Sequence, residues 1–522
     1  KLYTNPTYAK HLQQRGNEQT IMLGFSDGTK DGGYLMANWG IYKAKEALTA
    51  ISRKYDIKVV FFDGRGGPPA RGGGKTNKFY ASLGPTIENQ QIQLTVQGQT
   101  ISSNFGTLDS CRYNLENLLS AGASNQVFTK TENELTAEEK AVLQKHPWVF
   151  SGALQSIKNK PANGELVKVL SHKQEFLAYG YFNDASRVAI RLLSWNVDEL
   201  PDETWWRLRV RKAVEARKDL LNESTNTCRL VFSEADYLPG LIADCYGDYL
   251  ALQILTTGVE AVKPIILDEL QKLTHAKGIF DKGDATARAH DGLQATEGLL
   301  SGQLPPDFVE VKENGIKYQI NIVEGQKSGF YCDQRDNRKI VAAYAKDKKV
   351  LDCFSYSGGF SLNALAHDAA SVVSVDSSAL AIETLKKNIA LNGFDVSKST
   401  AIQNDVNKQL RLFNEENQKF DIVILDPPKY APSRSALDRA ARAYKDLNRL
   451  GMQILEKGGL LATFSCSGAV DIDTFKQIIA WAALDAGKEV QIIYQFNQPE
   501  DHPIRTSFPE GEYLKGVLCR VF

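Results

Sequence analysis

The sequence predicts an α/β protein: a doubly wound parallel sheet at the C-terminal end, a small β-barrel or curled sheet and an α+β region before it, and a βαβ unit of an α/β barrel or sheet at the start. Three observations predict this. From Val350 onward, short apolar runs alternate with helical stretches. Between Leu166 and Leu193, alternating runs are separated by Asn163-Gly164 and Asn183-Asp184 turns. Near the N-terminus, two apolar runs flank one helical stretch.

In the N-terminal segment, Ile21 to Asp27 reads as a buried strand ending in a polar turn. Leu35 to Arg53 reads as a helix with Trp39, Tyr42, Ala47 and Leu48 among its apolar positions, and Ile57 to Phe62 as a second strand. The loop that follows, Asp63 to Lys75, alternates glycines with Arg65 and Arg71. Glycines let backbone amides approach an anion and arginines supply forked donors. Together with Phe25-Ser26-Asp27-Gly28-Thr29-Lys30-Asp31-Gly32-Gly33 and Thr95-Val96-Gln97-Gly98-Gln99, this loop resembles phosphoenolpyruvate carboxylase. The resemblance implies a metal-ligand role for Asp27, a bicarbonate-site role for Lys30 and anion binding by Arg65 and Arg71. Asp63 stands where many members carry a catalytic His. A barrel piece cannot close its sheet or assemble the rest of such a site. Residues 1–142 are therefore expected to be a fragment joined by gene fusion or sequence assembly, without carboxylase activity. Phosphoenolpyruvate-dependent bicarbonate fixation by the purified chain would overturn that expectation.

Thr136 to Lys145 is polar and helix-prone, suited to a connecting helix. Strands at Leu166–Leu170, Phe176–Tyr181 and Val188–Leu193 build the small β module. A helix from Trp205 to Lys218 carries mostly basic residues. It reads either as a solvated face over buried tryptophans or as a surface that tracks RNA phosphates. Residues 221–325 read as an α+β middle domain, with strands near Arg229–Ser233, Leu241–Cys245 and Leu250–Leu255.

The doubly wound domain, residues 326–522, has strands at Val350–Phe354, Val372–Asp376, Thr400–Asn404, Asp421–Leu425 and Leu460–Phe464, with Val490–Tyr494 and Leu514–Val521 as a final antiparallel pair. Ligands of such sheets lie beyond the carboxyl ends of the strands. Gly358 sits in a tight turn that lets a cofactor approach the backbone, with Phe354 and Ser355 just before it. Asp376, followed by Ser377, ends the second strand, where a carboxylate can accept ribose hydroxyls. Asp405 ends the third and can meet an adenine amino group. The loop reads Ser-Tyr-Ser-Gly-Gly-Phe and lacks the GxGxxG fingerprint of dinucleotide binders. Asp426-Pro427-Pro428-Lys429 ends the fourth strand, where two prolines fix the backbone and aim Asp426 into the cleft.

Ser465-Cys466-Ser467-Gly468 ends the fifth strand. Cys353 reads as buried filler, but Cys466 lies past a strand end, between hydroxyls. Cytosine C5 needs activation before it takes a methyl, and thiolate attack at C6 supplies it. The base must be splayed out of any helix to reach such a pocket. A reversed final strand is a point of resemblance to class I methyltransferases. The opening His146-Pro147-Trp148-Val149-Phe150-Ser151-Gly152, the run Gly329 to Arg338, the DPPK and SCSG turns and Tyr513-Leu514-Lys515-Gly516 closely resemble the large-subunit ribosomal RNA cytosine-C5 methyltransferases. That resemblance spans roughly 146–522. It implies a Rossmann-like catalytic domain that uses S-adenosyl-L-methionine, with Cys466 as nucleophile and Asp426 on the cytosine edge. It also implies a PUA-type RNA-binding domain with its connecting helix over 143–220, and Gln334 and Arg335 closing the cofactor pocket. Many cytosine-C5 enzymes carry a second Cys after Asp-Pro-Pro. Here Lys429 takes that place, so help in product release must come from elsewhere.

The expected partner is large-subunit ribosomal RNA, with a homodimer as a further possibility. Methylation of a guanine amine is the nearest rival, followed by an RNA-binding protein with an inactive methyltransferase domain. The chain has 522 residues, 43% apolar and 24% charged, with zero formal net charge, so RNA contact needs a local basic face. Seven scattered cysteines without a CxxC pair argue against zinc and disulfides and for a reduced, cytoplasmic setting. No apolar run reaches the roughly 18 residues that span a bilayer. Lys1-Leu2-Tyr3-Thr4-Asn5 is no signal peptide and lacks an initiating Met, as a fragment or expression product would.

Overall fold

The apolar runs near the N-terminus build a parallel sheet in this computed structural model. Helix α1 (Pro6–Gln14) is capped by Asn5, whose side chain accepts from the Thr7 and Tyr8 amides. Strand β1 (Glu18–Leu23) leads through α2 (Phe25–Lys54) to β2 (Lys58–Asp63), parallel to β1. Strand β3 (Ile92–Leu94) lies parallel to β2. Val59, Phe61 and Ile87 form the core, with Ile21, Leu23, Tyr42 and Leu48 packed on it. The expected βαβ order is present, but the strand ends at Leu23 and Phe25–Asp27 belong to the helix. Ser26 and Asp27, read as a turn, suit a helix's first turn equally well. The structure describes residues 2–23, 25–63, 86–88, 92–94, 137–325, 329–431 and 436–522. Arg65 and Arg71 lie outside the described residues, as do the side chains of Asp27, Lys30 and Asp63.

A second unit, Leu135–Phe522, separates from Lys1–Glu134. It opens with α3 (Ala137–Leu143), β4 (Trp148–Phe150), β5 (Leu166–Leu170), β6 (Phe176–Phe182) and β7 (Val188–Ser194). The strands pair antiparallel in the order β4-β7-β6-β5. The stretch expected to connect two pieces is instead built into this module. Val142 joins its core, the Val142 carbonyl accepts from Trp195 Nε1 at 2.6 Å, and Glu139 accepts from the His172 amide at 2.7 Å.

Helix α4 (Glu203–Glu215) starts at an Asp202 cap and buries Trp205 and Trp206. Much of its basic face is engaged in ion pairs within the chain, while Arg211, Lys212 and Lys218 stay exposed. Arg207 pairs with Glu203, Asp268 and Glu269, Arg211 with Glu269, and Arg209 with Glu199. Just beyond the helix, Arg217 takes Asp236 bidentately at 2.7 and 2.8 Å. The carboxylates that neutralise this face lie partly on a neighbouring helix, out of reach of any reading along α4 alone.

The middle region comprises β8 (Thr227–Phe232), β9 (Leu241–Tyr246), β10 (Tyr249–Ile254), α5 (Thr257–Ala261), α6 (Lys263–Thr274), β11 (Gly278–Lys282), α7 (Ala285–His290) and β12 (Glu297–Gly302). One mixed sheet has the order β12-β11-β10-β9-β8. Strands β11 and β12 were not anticipated, because glycines punctuate their ends. A hairpin of β13 (Val309–Glu313) and β14 (Ile316–Ile320) follows.

Then come α8 (Arg335–Ala342), β15 (Lys349–Cys353), α9 (Gly359–Ala366), β16 (Ser371–Asp376), α10 (Ala379–Leu391), β17 (Ser399–Gln403), α11 (Val406–Glu415), β18 (Phe420–Leu425), α12 (Leu437–Gln453), β19 (Leu455–Ser465), α13 (Ile472–Ala486), β20 (Val490–Phe496) and β21 (Lys515–Val521). The sheet order is β17-β16-β15-β18-β19-β21-β20, parallel through β19, with β21 antiparallel to both neighbours. This is the doubly wound sheet with a reversed last strand that the alternation predicts. Strand side chains alternate between two cores. Leu351, Val423 and Leu461 pack with Leu410, Tyr444 and Phe475, while Val350, Ile422 and Ala462 pack with Phe360 and Leu385. No described helix is long and apolar enough to cross a membrane.

Arg338 of α8 grips Glu313 of the hairpin bidentately at 2.9 and 2.8 Å, both side chains buried. Removing one partner strands the other charge in the interior, at a cost of about 3–5 kcal/mol. Arg338→Ala is expected to lower the unfolding free energy, from urea titration followed by tryptophan fluorescence, by about 3–5 kcal/mol and so to lower the midpoint. An unchanged midpoint would show that the pair does not hold the hairpin.

Candidate functional site

The crossover between β15 and β18 sets the site. There the chain leaves one half of the sheet and resumes in the other, so the loops after these strands diverge and open a crevice. The loop after β15 is shaped by left-handed backbone at Phe354 (φ 62°), Tyr356 (φ 46°) and Gly358 (φ 91°). Two of these are not glycine, a costly conformation that clusters at ligand cradles. A side chain at Gly358 would be strained by its φ of 91°, and its Cβ would press 2.3 Å from Leu385 Cδ1, which would have to shift. The loop is clamped from below. Buried Asp352 on β15 accepts from the Ser361 amide and hydroxyl on α9 at 3.0 and 2.6 Å, and burial pushes its carboxyl up to about 7.

Asp376 sits half-buried at the end of β16 and receives the Tyr356 amide at 2.9 Å and the Ser378 amide at 2.8 Å. It thus holds the loop while keeping acceptor capacity on both oxygens. Ser377 beside it is exposed. Asp405 is exposed and caps α11, accepting from the Lys408 amide at 2.9 Å. Ser355 is buried, and its Oγ has no hydrogen-bond partner among the described residues.

Gln334 and Arg335 are buried where a short turn (Cys332–Gln334) enters α8. Gln334 accepts from Asn337 at 2.7 Å, and Arg335 Nη1 donates to Asp501 at 3.0 Å. Among the described residues, Gln334 Nε2 and Arg335 Nη2 find no partner. The same segment reaches the β15 loop: the Tyr331 and Tyr356 rings meet edge to face at 5.4 Å, and Arg338 packs against Gly359. Buried polar atoms left unmade are costly. Donors at Gln334 and Arg335, a hydroxyl at Ser355 and a carboxylate at Asp376 fit a ligand with both a carboxylate and ribose hydroxyls.

Asp426 ends β18, half-buried, and the DPPK turn meets the SCSG turn directly: Cys466 Sγ lies 3.9 Å from the Pro427 carbonyl. Among the described cysteines, Cys466 is partly exposed while Cys228, Cys245, Cys332, Cys353 and Cys519 are buried. Burial pushes the Cys353 thiol well above its ordinary range, as inert filler requires. The flanking serines are tied down. Ser465 Oγ donates to Tyr444 Oη at 2.9 Å, Tyr444 Oη and Ser467 Oγ are 3.0 Å apart, and the Ala431 amide donates to Ser467 Oγ at 3.1 Å.

Several site residues escaped prediction. Tyr331 interacts with both Asp426 and Cys466 and has its hydroxyl pushed up by burial. Tyr513 Oη donates to Asp333 at 2.6 Å, and buried Lys515 holds the cysteine turn. Their motifs stand out in the chain, but they meet across long stretches of sequence, so only the fold pairs them.

Residues 1–150 match the phosphoenolpyruvate carboxylase family, residues 136–195 the PUA-like domain family, and residues 288–503 the S-adenosylmethionine-dependent methyltransferase family. Ribosomal RNA large subunit methyltransferase I from Enterobacter sp. (strain 638) is 41% identical over 384 residues, covering 73% of this chain and 97% of that protein. The protein of the same name from Cronobacter sakazakii gives the same identity and coverage. Among solved structures, SMU.776, a methyltransferase complexed with SAH, superposes with a TM-score of 0.65 at 22% identity, over 73% of this chain and 97% of that one. A SAM-dependent methyltransferase from Streptococcus mutans gives a TM-score of 0.64 at 21% identity, over 74% and 98%. These two establish the shared fold.

Proposed function

The chain belongs to the ribosomal RNA large subunit methyltransferase I family, and from that premise we propose that it forms 5-methylcytosine in large-subunit ribosomal RNA through a covalent bond to Cys466. It is an S-adenosylmethionine-dependent methyltransferase. When bound, that cofactor supplies an electrophilic methyl on a sulfonium sulfur. Gln334 and Arg335 would take its carboxylate, Asp376 its ribose hydroxyls, and Phe354, Ser355 and Gly358 would line its cradle, with Ser377 and Asp405 at the outer edge.

One observation carries the cytosine reading: the partly exposed cysteine stands at the carboxyl end of β19, packed against the DPPK turn. Guanine amine methylation needs no thiol there. In the proposed sequence the Cys466 thiolate bonds to C6, and the C5–C6 π pair becomes nucleophilic at C5, which takes the methyl. Loss of H5 as a proton to a base returns the electron pair to C5–C6 as the sulfur–C6 bond breaks. One methyl enters, one proton leaves and the thiolate is regenerated. Asp426 hydrogen-bonds the cytosine edge during attack, and Tyr331 walls the base pocket. The PUA-like module contributes RNA contact.

Cys466→Ala is expected to abolish 5-methylcytosine formation on unmodified ribosomal RNA, mapped by nucleoside mass spectrometry, by at least about 10³-fold, while leaving S-adenosylmethionine binding intact. Retained turnover, or a methyl mapped to guanine, would exclude the covalent route.

A further inference from the structure

We propose that Lys515 is a positioning residue for Cys466, its buried ammonium holding the turn that carries the thiol and biasing that thiol towards the thiolate. The inference rests on the reading of Cys466 as nucleophile and deepens it.

Three features place Lys515. It pairs with Ser465 in the β19–β21 register, next to the cysteine. Its Nζ donates to the Ser467 carbonyl at 2.9 Å and the Val470 carbonyl at 2.6 Å, so the ammonium spans the turn from just past the thiol to the start of the next helix. The residue is 5% exposed, which limits solvent screening of the charge.

The remaining charges around this turn show what the ammonium does. Asp426, Asp471, Glu512, Tyr331, Tyr444 and Tyr513 interact with Cys466, with Lys515, or with their immediate surroundings. None of these is a cation, and a carboxylate beside a thiol raises its pKa. Among the described residues, Lys429, which is exposed, and Arg229, which is paired with Asp244, are the further cations around these groups. Among the described residues, Lys515 is the buried cation hydrogen-bonded to the cysteine turn itself, and its charge opposes that of the acidic groups. Burial draws its own pKa down, while interaction with Cys466 raises it. Each ion thus favours the other. The thiol proton goes to solvent, and the ammonium keeps its hydrogens and its charge throughout.

The test is iodoacetamide alkylation of Cys466 in the full chain against pH, read by peptide mass spectrometry, with Lys515→Gln and Lys515→Arg beside the wild type. Glutamine retains hydrogen-bond donors without charge, and arginine retains charge. The wild-type midpoint is expected below the ordinary thiol value of about 8.5. Lys515→Gln should raise it by about one unit, slowing alkylation at neutral pH roughly tenfold, with Lys515→Arg restoring most of the rate. A wild-type midpoint at or above the ordinary value overturns the proposal without any variant, so misfolding of Lys515→Gln does not shield it. A folded Lys515→Gln with an unshifted midpoint also overturns it. Methylation surviving in Cys466→Ala would instead defeat the nucleophile reading and leave the titration standing, so the two failures are told apart.

Discussion

The site depends on one buried carboxylate, Asp501. Its side chain is fully buried and accepts from the Arg229 amide on β8, from Arg335 Nη1 and from His502 Nδ1, each at 3.0 Å. Its own carbonyl takes Arg217 Nη2 at 3.1 Å. A buried charge without partners is prohibitively costly. The middle sheet, the end of α4, the entry to α8 and the C-terminal loop must therefore converge on this one group. Burial alone would push the Asp501 carboxyl up. The His502 hydrogen bond and the charges around it outweigh that and hold it well below the usual range. Arg335 is thereby fixed from behind at the entry to α8, with Nη2 left without a partner among the described residues.

The reversal of the last strand follows the same logic. Parallel strands all end at the crevice, so their side chains supply its floor. Strand β21 runs the other way and therefore begins there, with Lys515 opposite Ser465. The loop that precedes it, anchored at Asp501, delivers Tyr513 to Asp333 and Lys515 to the cysteine turn. A parallel seventh strand would have its N-terminal end at the opposite edge of the sheet.

Much of this was legible in the chain. The strands of the catalytic sheet follow from apolar runs bounded by Gly, Asp and Pro, and candidates such as Asp376, Asp426 and Cys466 follow from standing at strand ends. What was illegible is what depends on distant partners. The basic run of α4 fits either a solvated face or an RNA surface, and only the fold shows Asp268 and Glu269 of α6 pairing with Arg207 and Arg211. Lys515 and Tyr331 were visible within motifs, but their roles come from the groups they meet in space. In the N-terminal segment Ser26 and Asp27 suited either a turn or a helix start, and local pattern does not choose between them.

The covalent bond itself is the most direct test of the account. Ribosomal RNA carrying 5-fluorocytidine presents a C5 substituent that cannot leave as a proton, so the sulfur–C6 bond, once methyl transfer has occurred, cannot resolve. Incubation with the chain and S-adenosylmethionine is predicted to give a denaturant-stable protein–RNA adduct whose cross-linked peptide contains Cys466. Full methyl transfer to unmodified RNA with no adduct on the fluorinated RNA, or an adduct mapped to another residue, would contradict it.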